Sequence, residues 1–281
     1  MSKLPHLRHT FLSSSAPKNN IKSFLGRYYQ QKVLLGPNLV KYEGRLYMSN
    51  TLYFETLDST QTYLKQHFNE LPDQTVVTAN TQTAGRGRFD RQWISEPGGL
   101  YFSILLKPTK TQFLANLTQF LALCVCQTAE KYAVQPNLKW PNDVQVAGKK
   151  FCGILSEVLT QNNQIVGLVI GAGVNVAQND LSHVGQPAVS LRELGVNIAK
   201  EDFLQNTLDL FFAGYAAVLE DGFKAIRSAY IERFPFLGKQ IAVKNGTSAV
   251  SGVAEDVSPE GTLLLHTQRG PLEILIGDLL V

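Results

Sequence analysis

The sequence predicts an α+β protein, with a mixed or antiparallel sheet flanked by helices and a small SH3-like β-barrel at the carboxyl end. Two observations lead to this prediction. Helical and strand-like stretches are interspersed between residues 51 and 234, whereas from residue 238 onward four short strands follow one another through turn dipeptides. A composition of 44% hydrophobic and 17% charged residues excludes a disordered chain and indicates a buried core.

The first predicted helix follows a strand end at residues 52–54. Asp58 and Gln61 form a capping-box pattern at the start of this helix, and Leu71-Pro72 stops it. Further strands are predicted at 75–79, Leu100–Leu106, 138–140, 144–146, 151–159, 165–176, 240–244, 249–257, 262–267 and 272–276, and further helices at 111–132, 202–219 and 223–234.

The amino-terminal segment is basic, whereas the rest of the chain is slightly acidic. Residues 1–50 carry eight Lys or Arg and one acid, and the remainder carries 18 basic and 22 acidic side chains. We interpret residues 1–47 as a basic extension without a recognisable winged helix. Three interpretations of this segment are open. It is an irregular extension that packs on the core, an organelle-targeting segment, or sequence that precedes the true start codon at Met48. The other predicted domains are residues 48–236 and the SH3-like residues 237–281.

Several classes of protein and site are excluded or disfavoured. The three cysteines are odd in number and lie in or beside apolar segments, so we expect a reducing compartment, the cytoplasm. No apolar run approaches the roughly 18 residues of a membrane span, and we expect no membrane partner. No P-loop motif and no Cys/His spacing for zinc is present, so we predict no metal-ligating residues and no P-loop NTPase.

The stretch TQTAGRGRFDRQW, at residues 81–93, lies between two predicted strands. Its glycines let backbone N–H groups approach a ligand, and its arginines carry guanidinium groups that bind phosphate or carboxylate oxygens. We interpret it as a loop that closes over an anionic, partly planar ligand; a flexible, solvated Arg-Gly loop is the alternative. The residues concerned are Gly85, Arg86, Gly87, Arg88, Arg91 and Trp93.

The stretch KWPNDVQVAGKKFCG, at residues 139–153, places polar groups at a predicted strand end. Pro141 stiffens the exit from that strand, and Asn142 and Asp143 follow where an amide and a carboxylate can hold a nucleotide or a metal.

Two lysines follow in the same stretch. Strict strand alternation places Lys150 and Cys152 on one face and Lys149 and Phe151 on the other, so one of the two lysines is expected to point inward. An inward ammonium needs an anion to meet it. A solvated lysine at a hairpin end is the alternative.

The stretch GAGVN, at residues 171–175, lacks the third glycine of a dinucleotide-binding fingerprint and opens no predicted helix. A Rossmann site is therefore not favoured, although Asn175 at a strand end can still bind phosphate.

Five ordered stretches resemble the biotin protein ligases. They are Asp58-Ser59-Thr60, the QTAGRGR run with Trp93, KWPND at 139–143, KKFCGILSE at 149–157 and GAGVN at 171–175. The resemblance covers about residues 51–281, and it is specific because five blocks occur in the family's order. The related lipoate ligases share the fold but not the GRGR loop with KWPND. The resemblance implies the class II synthetase-like biotin/lipoate ligase fold.

The resemblance also implies a two-step reaction. Biotin and ATP, with Mg²⁺, give biotinyl-5′-AMP and pyrophosphate, and a lysine of a biotin carboxyl-carrier protein then accepts the biotinyl group. By position, the implied catalytic residues are Lys150 and Arg88. The implied biotin-binding residues are Ser59, Thr60, Gln61, Gln82, Arg86, Gly87, Arg88, Lys150 and Gly153. The implied ATP-binding residues are Arg91, Trp93, Lys139, Asn142 and Asn175.

This chemistry agrees with the residues present. A carboxylate and ATP carry like charges, which Lys150, Arg88 and Mg²⁺ would offset. The mixed anhydride is labile in water, so a mobile loop that closes over it is expected. No protein nucleophile is required, because the carboxylate of biotin attacks and the acceptor amine completes the reaction.

The chain departs from the family pattern in two places. Gln61 stands where many bacterial members carry Asn, and no winged helix is recognisable, so we expect no specific nucleic-acid partner. The alternatives are a biotin-operon repressor that senses biotinyl-AMP, and a lipoate or octanoate ligase on the same fold. Members of the family often pair through sheet edges, and the sequence leaves monomer and homodimer open.

Overall fold

Three short antiparallel strands precede the main body of the chain: β1 (Val33–Gly36), β2 (Leu39–Tyr42) and β3 (Arg45–Met48). The structure is a computed structural model that describes these strands and residues 50–280. The chain divides into two compact units, Met1–Ser49 and Asn50–Val281. We had predicted no strands within residues 1–47, because four-residue strands are too short to show a readable alternation. The rest of the predicted extension lies outside the described residues.

The second unit is built on a seven-stranded mixed sheet. Its strand order is β4-β5-β6-β10-β9-β8-β7, in which β4 and β5 are parallel and all other neighbours are antiparallel. This arrangement confirms the predicted mixed sheet. The strands are β4 (Thr51–Leu57), β5 (Thr75–Gln82), β6 (Leu100–Leu106), β7 (Pro136–Lys139), β8 (Asp143–Val146), β9 (Lys149–Gln161) and β10 (Gln164–Val174).

Helix α1 (Thr60–Gln66) begins directly after β4, but the predicted capping box is wrong. The side chain of Ser59 is the N-cap, and its Oγ accepts from the backbone N–H of Thr62 at 3.4 Å. Gln61 does not reach back to the cap, because its Nε2 donates to the carbonyl of Leu155 at 2.8 Å. The strand and the helix therefore meet at a polar junction that is tied to β9.

The largest helices pack together beside the sheet. They are α2 (Asn116–Glu130) and α3 (Lys200–Asp221), with Phe120 and Phe211 stacked between them at a centroid distance of 5.3 Å. Helix α2 begins later than predicted because i→i−3 hydrogen bonds at Asn116 and Leu117 form a tighter turn ahead of it. No helix within residues 50–280 has the length and apolar character needed to cross a bilayer.

The last predicted helix is shorter than expected. A 3₁₀ turn at Gly222–Ala225 precedes α4 (Arg227–Glu232), where we had predicted one continuous helix at 223–234.

The carboxyl-terminal sheet has five antiparallel strands in the order β14-β13-β12-β11-β15. The sequence predicts four strands here, and β15 is the additional one. The two outermost strands of the sheet, β14 and β15, do not pair with each other, so the sheet is not closed into a barrel. The strands are β11 (Gln240–Asn245), β12 (Ser248–Val257), β13 (Leu263–Thr267), β14 (Gly270–Ile274) and β15 (Asp278–Leu280).

A turn of this sheet is fixed to the start of α2. Asn116 Nδ2 donates to the carbonyl of Glu260 at 2.8 Å, and Gln119 Nε2 and Trp140 Nε1 donate to the carbonyl of Gly261 at 2.7 and 3.0 Å. All three donors are buried, so these bonds hold the two sheets of the second unit in one position.

Candidate functional site

The candidate site is a cavity of about 450 Å³ over strands β6, β9 and β10. The loop at residues 85–93 and the first turn of α1 form its other walls. Twelve of the fourteen sequence-predicted site residues line it: Ser59, Thr60, Gln61, Gln82, Arg86, Gly87, Arg88, Arg91, Trp93, Asn142, Lys150 and Gly153.

Lys150 reaches the cavity because strand β9 contains a bulge. Val144 and Gln145 of β8 are consecutive, but they pair with Cys152 and Lys150, which leaves Phe151 as an extra residue on β9. Strict alternation is therefore wrong here. Lys150 lies at the cavity wall near Gly153, whereas Phe151 and Cys152 are both fully buried in the core.

The ammonium group of Lys150 is paired with a carboxylate. Its Nζ lies 2.9 Å from Asp143 Oδ2, and the two side chains are 15% and 20% exposed. The other oxygen of this carboxylate, Oδ1, is buried and has no hydrogen-bond partner within the described part of the chain. The site thus contains the Lys150 ammonium group and, beside it, a carboxylate oxygen that can accept a further hydrogen bond.

The loop at residues 85–93 is folded back on itself by backbone hydrogen bonds. Gly87 N–H donates to the carbonyl of Arg91 at 2.6 Å, and Trp93 N–H donates to the carbonyl of Gly85 at 2.9 Å. A Cβ on Gly85 would lie 2.5 Å from the carbonyl oxygen of Trp93, so glycine is required for this closure. The loop is therefore an ordered hairpin-like structure, and its tip is the exposed Phe89.

Arg88 joins this loop to two other parts of the second unit. Its Nη1 donates to Asn142 Oδ1 at 3.0 Å and to the carbonyl of Gly277 at 3.1 Å, and lies 3.4 Å from Asp278 Oδ1. Burial lowers the pKa of the Arg88 guanidinium, while Asp278 and Asp143 oppose that shift. Arginine stays protonated in proteins, so Arg88 provides a fixed, half-buried positive charge at the cavity.

Trp93 lies against the sheet over two glycines. Gly153 and Gly173 are paired across β9 and β10. A Cβ on Gly173 would lie 2.3 Å from Trp93 Cε2, and a Cβ on Gly153 would lie 2.7 Å from Trp93 Cζ3. The indole Nε1 is buried and has no hydrogen-bond partner among residues 50–280. Lys150 Nζ lies 5.3 Å from the ring centroid, within the range of a cation–π contact.

Part of the cavity wall is formed by neutral hydrogen-bonding groups. Gln82 Oε1 accepts from the backbone N–H of Thr60 at 2.9 Å, and Gln82 Nε2 donates to Ser95 Oγ at 2.8 Å. The hydroxyl groups of Thr60 and Ser103 lie 2.7 Å apart. This network consists of amide and hydroxyl groups, whereas the cations of the cavity wall are Arg86, Arg88, Arg91 and Lys150.

Two predicted residues do not line the main cavity. Lys139 is the last residue of β7 and stands opposite Asp143 in the register of β7 with β8, and burial lowers the pKa of its ammonium group. Asn175 is buried at the end of β10, and its Nδ2 donates to the carbonyl of Lys150 at 3.2 Å. Asn175 instead lines a smaller adjoining pocket, beside Trp93 and Lys150.

Several cavity residues were not predicted. Ser103 is fully buried within the apolar strand Leu100–Leu106, and an isolated hydroxyl in such a strand is a usable signal. Asp278 comes from β15, far along the chain, and Val184, Gly185 and Gln186 come from an irregular segment. Neither position carries a motif that could have identified it.

Comparisons with known proteins agree with this geometry. The sequence profile described as the biotin/lipoate A/B protein ligase family matches residues 53–175. The chain is 34% identical to the bifunctional ligase/repressor BirA of Bacillus subtilis, over 81% of this chain and 73% of that protein. It is also 34% identical to the biotin–[acetyl-CoA-carboxylase] ligase of Paracoccus denitrificans, over 69% of this chain and 84% of that one.

A solved structure gives the same result for the fold. The biotin protein ligase from Aquifex aeolicus in complex with biotin and ATP superposes with a TM-score of 0.75 at 31% identity, covering 83% of this chain and 98% of that chain. Sequence and fold agree over most of each relative, and so the chain belongs to the biotin/lipoate A/B protein ligase family, among its biotin protein ligases.

Proposed function

We propose that this chain is an ATP-dependent biotin ligase that forms biotinyl-5′-AMP and then transfers biotin to a lysine of a carrier protein. The observation that carries the proposal is a single cavity lined both by cations, Lys150 and Arg88 among them, and by the neutral polar groups of Thr60, Gln82 and Ser103. This combination suits a ligand with a carboxylate at one end and an uncharged ureido ring at the other. The complex of the Aquifex aeolicus ligase with biotin and ATP supports the choice of substrates.

The neutral groups of the wall would bind the ureido ring of biotin. Such a ring offers N–H donors and one carbonyl acceptor, which amide and hydroxyl groups can satisfy in a buried setting. Thr60, Gln82 and Ser103 provide these groups. Gly171 keeps that wall open, because a Cβ there would lie 2.7 Å from Ser103 Oγ. The remaining biotin-binding residues of this proposal are Ser59, Gln61, Arg86, Gly87 and Gly153.

In the first step, a carboxylate oxygen of biotin attacks the α-phosphorus of ATP. The bond between that phosphorus and the bridging oxygen to the β-phosphate breaks, and pyrophosphate leaves. Lys150 and Arg88 would place positive charge beside the carboxylate and the α-phosphate, where like charges otherwise repel. No proton transfer is required, because biotin enters as the carboxylate.

The nucleotide would bind on the Trp93 side of the cavity. The indole offers an aromatic surface for adenine and an unpartnered Nε1 donor. Asn142, Asn175 and Lys139 lie on the strand ends that surround the same region, and Arg91 lies at its rim. In this proposal Asn175 acts from the adjoining pocket, and Lys139 contributes charge rather than direct contact.

Mg²⁺ fits this donor set when it enters with ATP. The open Oδ1 of Asp143 is the kind of hard oxygen that Mg²⁺ prefers, and phosphate oxygens and water would complete the shell. Within residues 50–280 no group of three His, Cys, Asp or Glu side chains could hold a metal ion by itself. Bound Mg²⁺ would neutralise phosphate charge, and Asp143 would orient it while remaining paired with Lys150.

In the second step, the acceptor amine attacks the carbonyl carbon of biotinyl-AMP. An amide bond forms, the bond from carbon to the phosphate oxygen breaks, AMP leaves, and the amine loses its proton to solvent. The folded loop at residues 85–93 would keep water from the anhydride until the lysine arrives.

The decisive experiment is mass spectrometry of a carrier. An apo biotin carboxyl-carrier domain of an acetyl-CoA carboxylase is incubated with this protein, biotin and Mg-ATP. We expect a gain of about 226 Da on one lysine, the mass of biotin less one water. A carrier that stays unmodified, while lipoate or octanoate is transferred to a lipoyl domain under the same conditions, would reassign the activity.

A second candidate function is repression of transcription. The Bacillus subtilis relative is named a bifunctional ligase/repressor, and the basic excess of this chain lies in residues 1–50. A gel shift on a biotin-operon operator, at physiological salt and with biotin and ATP, tests it. A shift that requires biotinyl-AMP and is lost on deletion of residues 1–47, while ligation persists, would establish this function.

A further inference from the structure

A second crevice opens beside the main cavity, and we call it the side groove. It has a volume of about 310 Å³ and lies between the start of α2, the end of β7 and the segment that joins β14 to β15. Arg88, Asn142 and Leu155 line both the groove and the cavity. The side groove is therefore continuous with the cavity beside Arg88.

The outer lip of the groove is apolar and exposed. Leu275 and Ile276 line it and are 74% and 50% exposed. Both follow β14, which ends at Ile274, and precede β15. Two adjacent aliphatic side chains left in water lose the free energy that their burial would give, about 1.5–3 kcal/mol for each fully buried side chain.

The lip is held in this exposed position by its neighbours. Gly277 is buried, and a Cβ there would lie 2.5 Å from Val243 Cγ1. The carbonyl of Gly277 accepts from Arg88 Nη1 at 3.1 Å, and Asp278 accepts from Arg91 Nη2 at 2.5 Å. The chain is therefore fixed on the carboxyl side of the apolar pair, and the pair is presented next to the catalytic arginine.

The charges at the groove do not favour an ionic partner. Arg88 is already bonded to Asn142, Gly277 and Asp278, and the carboxylate of Glu260 is exposed to solvent. The buried donors of the floor are satisfied by the 260–261 turn. An occupant would therefore be recognised by its apolar surface rather than by charge.

We propose that the side groove, with Leu275 and Ile276 as its lip, is the docking surface for an apolar segment of the carrier protein that flanks the acceptor lysine. This rests on the proposed function, since the carrier is its second substrate. Under the proposed function the activated carboxylate lies beside Arg88, and the side groove, with its apolar lip, leads to Arg88. The carrier contact would thus span both sheets of the second unit.

The test separates the two half-reactions. Leu275→Ser and Ile276→Ser are compared with wild type and with Ile165→Ser, an exposed aliphatic residue at the start of β10. Adenylate formation is measured as biotin-dependent pyrophosphate release, and hydroxylamine traps the adenylate as a small acceptor. Transfer is measured on the apo carrier domain of an acetyl-CoA carboxylase.

We expect both lip variants to raise the KM for the carrier about tenfold to thirtyfold and to leave hydroxylamine trapping unchanged. Ile165→Ser should match wild type in both assays. An unchanged carrier KM overturns the proposal, and so does a parallel fall in trapping and transfer. A wild-type dimer that the lip variants dissociate, seen by sedimentation, would assign the surface to self-association instead. Wild type that forms no hydroxamate would refute the proposed function itself.

Discussion

Lys150 Nζ lies 2.9 Å from Asp143 Oδ2, so the inward cation of β9 is compensated by the carboxylate at the start of β8. The pairing explains how a largely buried ammonium is tolerated without a ligand, since burial of an unpaired charge is expensive. The other oxygen of this carboxylate, Asp143 Oδ1, has no hydrogen-bond partner among residues 50–280, and in the proposed function it lies beside the phosphates of ATP.

Removal of Lys150 is expected to stop the first half-reaction. Lys150→Ala deletes a cation that would stabilise the charge developing between carboxylate and α-phosphate, and the loss of one such group typically slows a reaction about 10²–10³-fold. The measurement is biotin-dependent pyrophosphate release at saturating ATP.

Lys149→Ala is the matched control for this variant. Lys149 is the adjacent lysine, is exposed, and does not line the cavity. It should release pyrophosphate at the wild-type rate. If Lys150→Ala were as active as Lys149→Ala, Lys150 would have no part in the chemistry.

Replacement of Arg88 is expected to release the adenylate prematurely. Arg88→Gly removes the bonds to Asn142, Gly277 and Asp278 that join the loop at residues 85–93 to the rest of the second unit. Biotinyl-AMP should then escape and modify exposed lysines of bystander proteins. The measurement is biotinylation of serum albumin, added to the reaction and detected with streptavidin.

Arg269→Gly controls for the loss of one positive charge, since Arg269 is exposed at the β13–β14 turn. It should leave albumin unmodified. An Arg88→Gly protein that holds its adenylate as long as wild type would contradict a closing role for the loop.

Elements with strong apolar patterns could be predicted from the sequence. A strand that is buried on both faces consists almost wholly of apolar residues, and such a short apolar run indicates a strand. Strand Leu100–Leu106 is buried along its whole length and was predicted with correct bounds. The site motifs could be located for a different reason. Glycine beside arginine, and Pro before Asn-Asp, are unusual enough to mark the loop and the strand end that line the cavity.

Other features depend on contacts between distant residues and could not be predicted. The bulge at Phe151 is visible only in the pairing of β8 with β9, and it reverses the face on which the following residues lie. Asp278 reaches Arg88 from 190 residues along the chain. The predicted SH3-like barrel is not closed in the structure. Turn residues in the sequence indicate hairpins between neighbouring strands, but they do not indicate whether the first and last strands of a sheet pair with each other.

Trp93 provides an optical test of the nucleotide side of the site. The chain has two tryptophans, and Trp140 is 2% exposed and bonded to Gly261. ATP should therefore change the fluorescence of Trp93, and the change should vanish in Trp93→Phe. Gly173→Ala should displace the indole, because its Cβ would lie 2.3 Å from Trp93 Cε2.

We expect Gly173→Ala to raise the Kd for ATP about tenfold, the loss of roughly 1.4 kcal/mol of contact energy. Ile165 lies on the same strand, is exposed and does not line the cavity, so Ile165→Ala tests whether any change in β10 has the same effect. Equal ATP affinity in wild type and Gly173→Ala would separate Trp93 from nucleotide binding.

The buried thiols predict an alkaline limit to stability. Cys124, Cys126 and Cys152 are free and buried, and desolvation raises the pKa of each thiol well above its ordinary value near 9. Because the folded-state pKa is raised, the folded state retains these protons as pH rises, whereas the unfolded state loses them above about pH 9. The contribution of these thiols to stability is therefore complete below that pH and falls above it, by about 1.4 kcal/mol per thiol for each further pH unit.

Two measurements check this prediction. Native protein at pH 8 should show no reaction with a thiol reagent such as DTNB, whereas in protein unfolded in guanidinium the reagent should react with all three cysteines. Urea unfolding at pH 8 and at pH 10 should give a lower midpoint at pH 10. Rapid native labelling, or equal midpoints at the two pH values, would show that these thiols are accessible or already ionised in the folded chain.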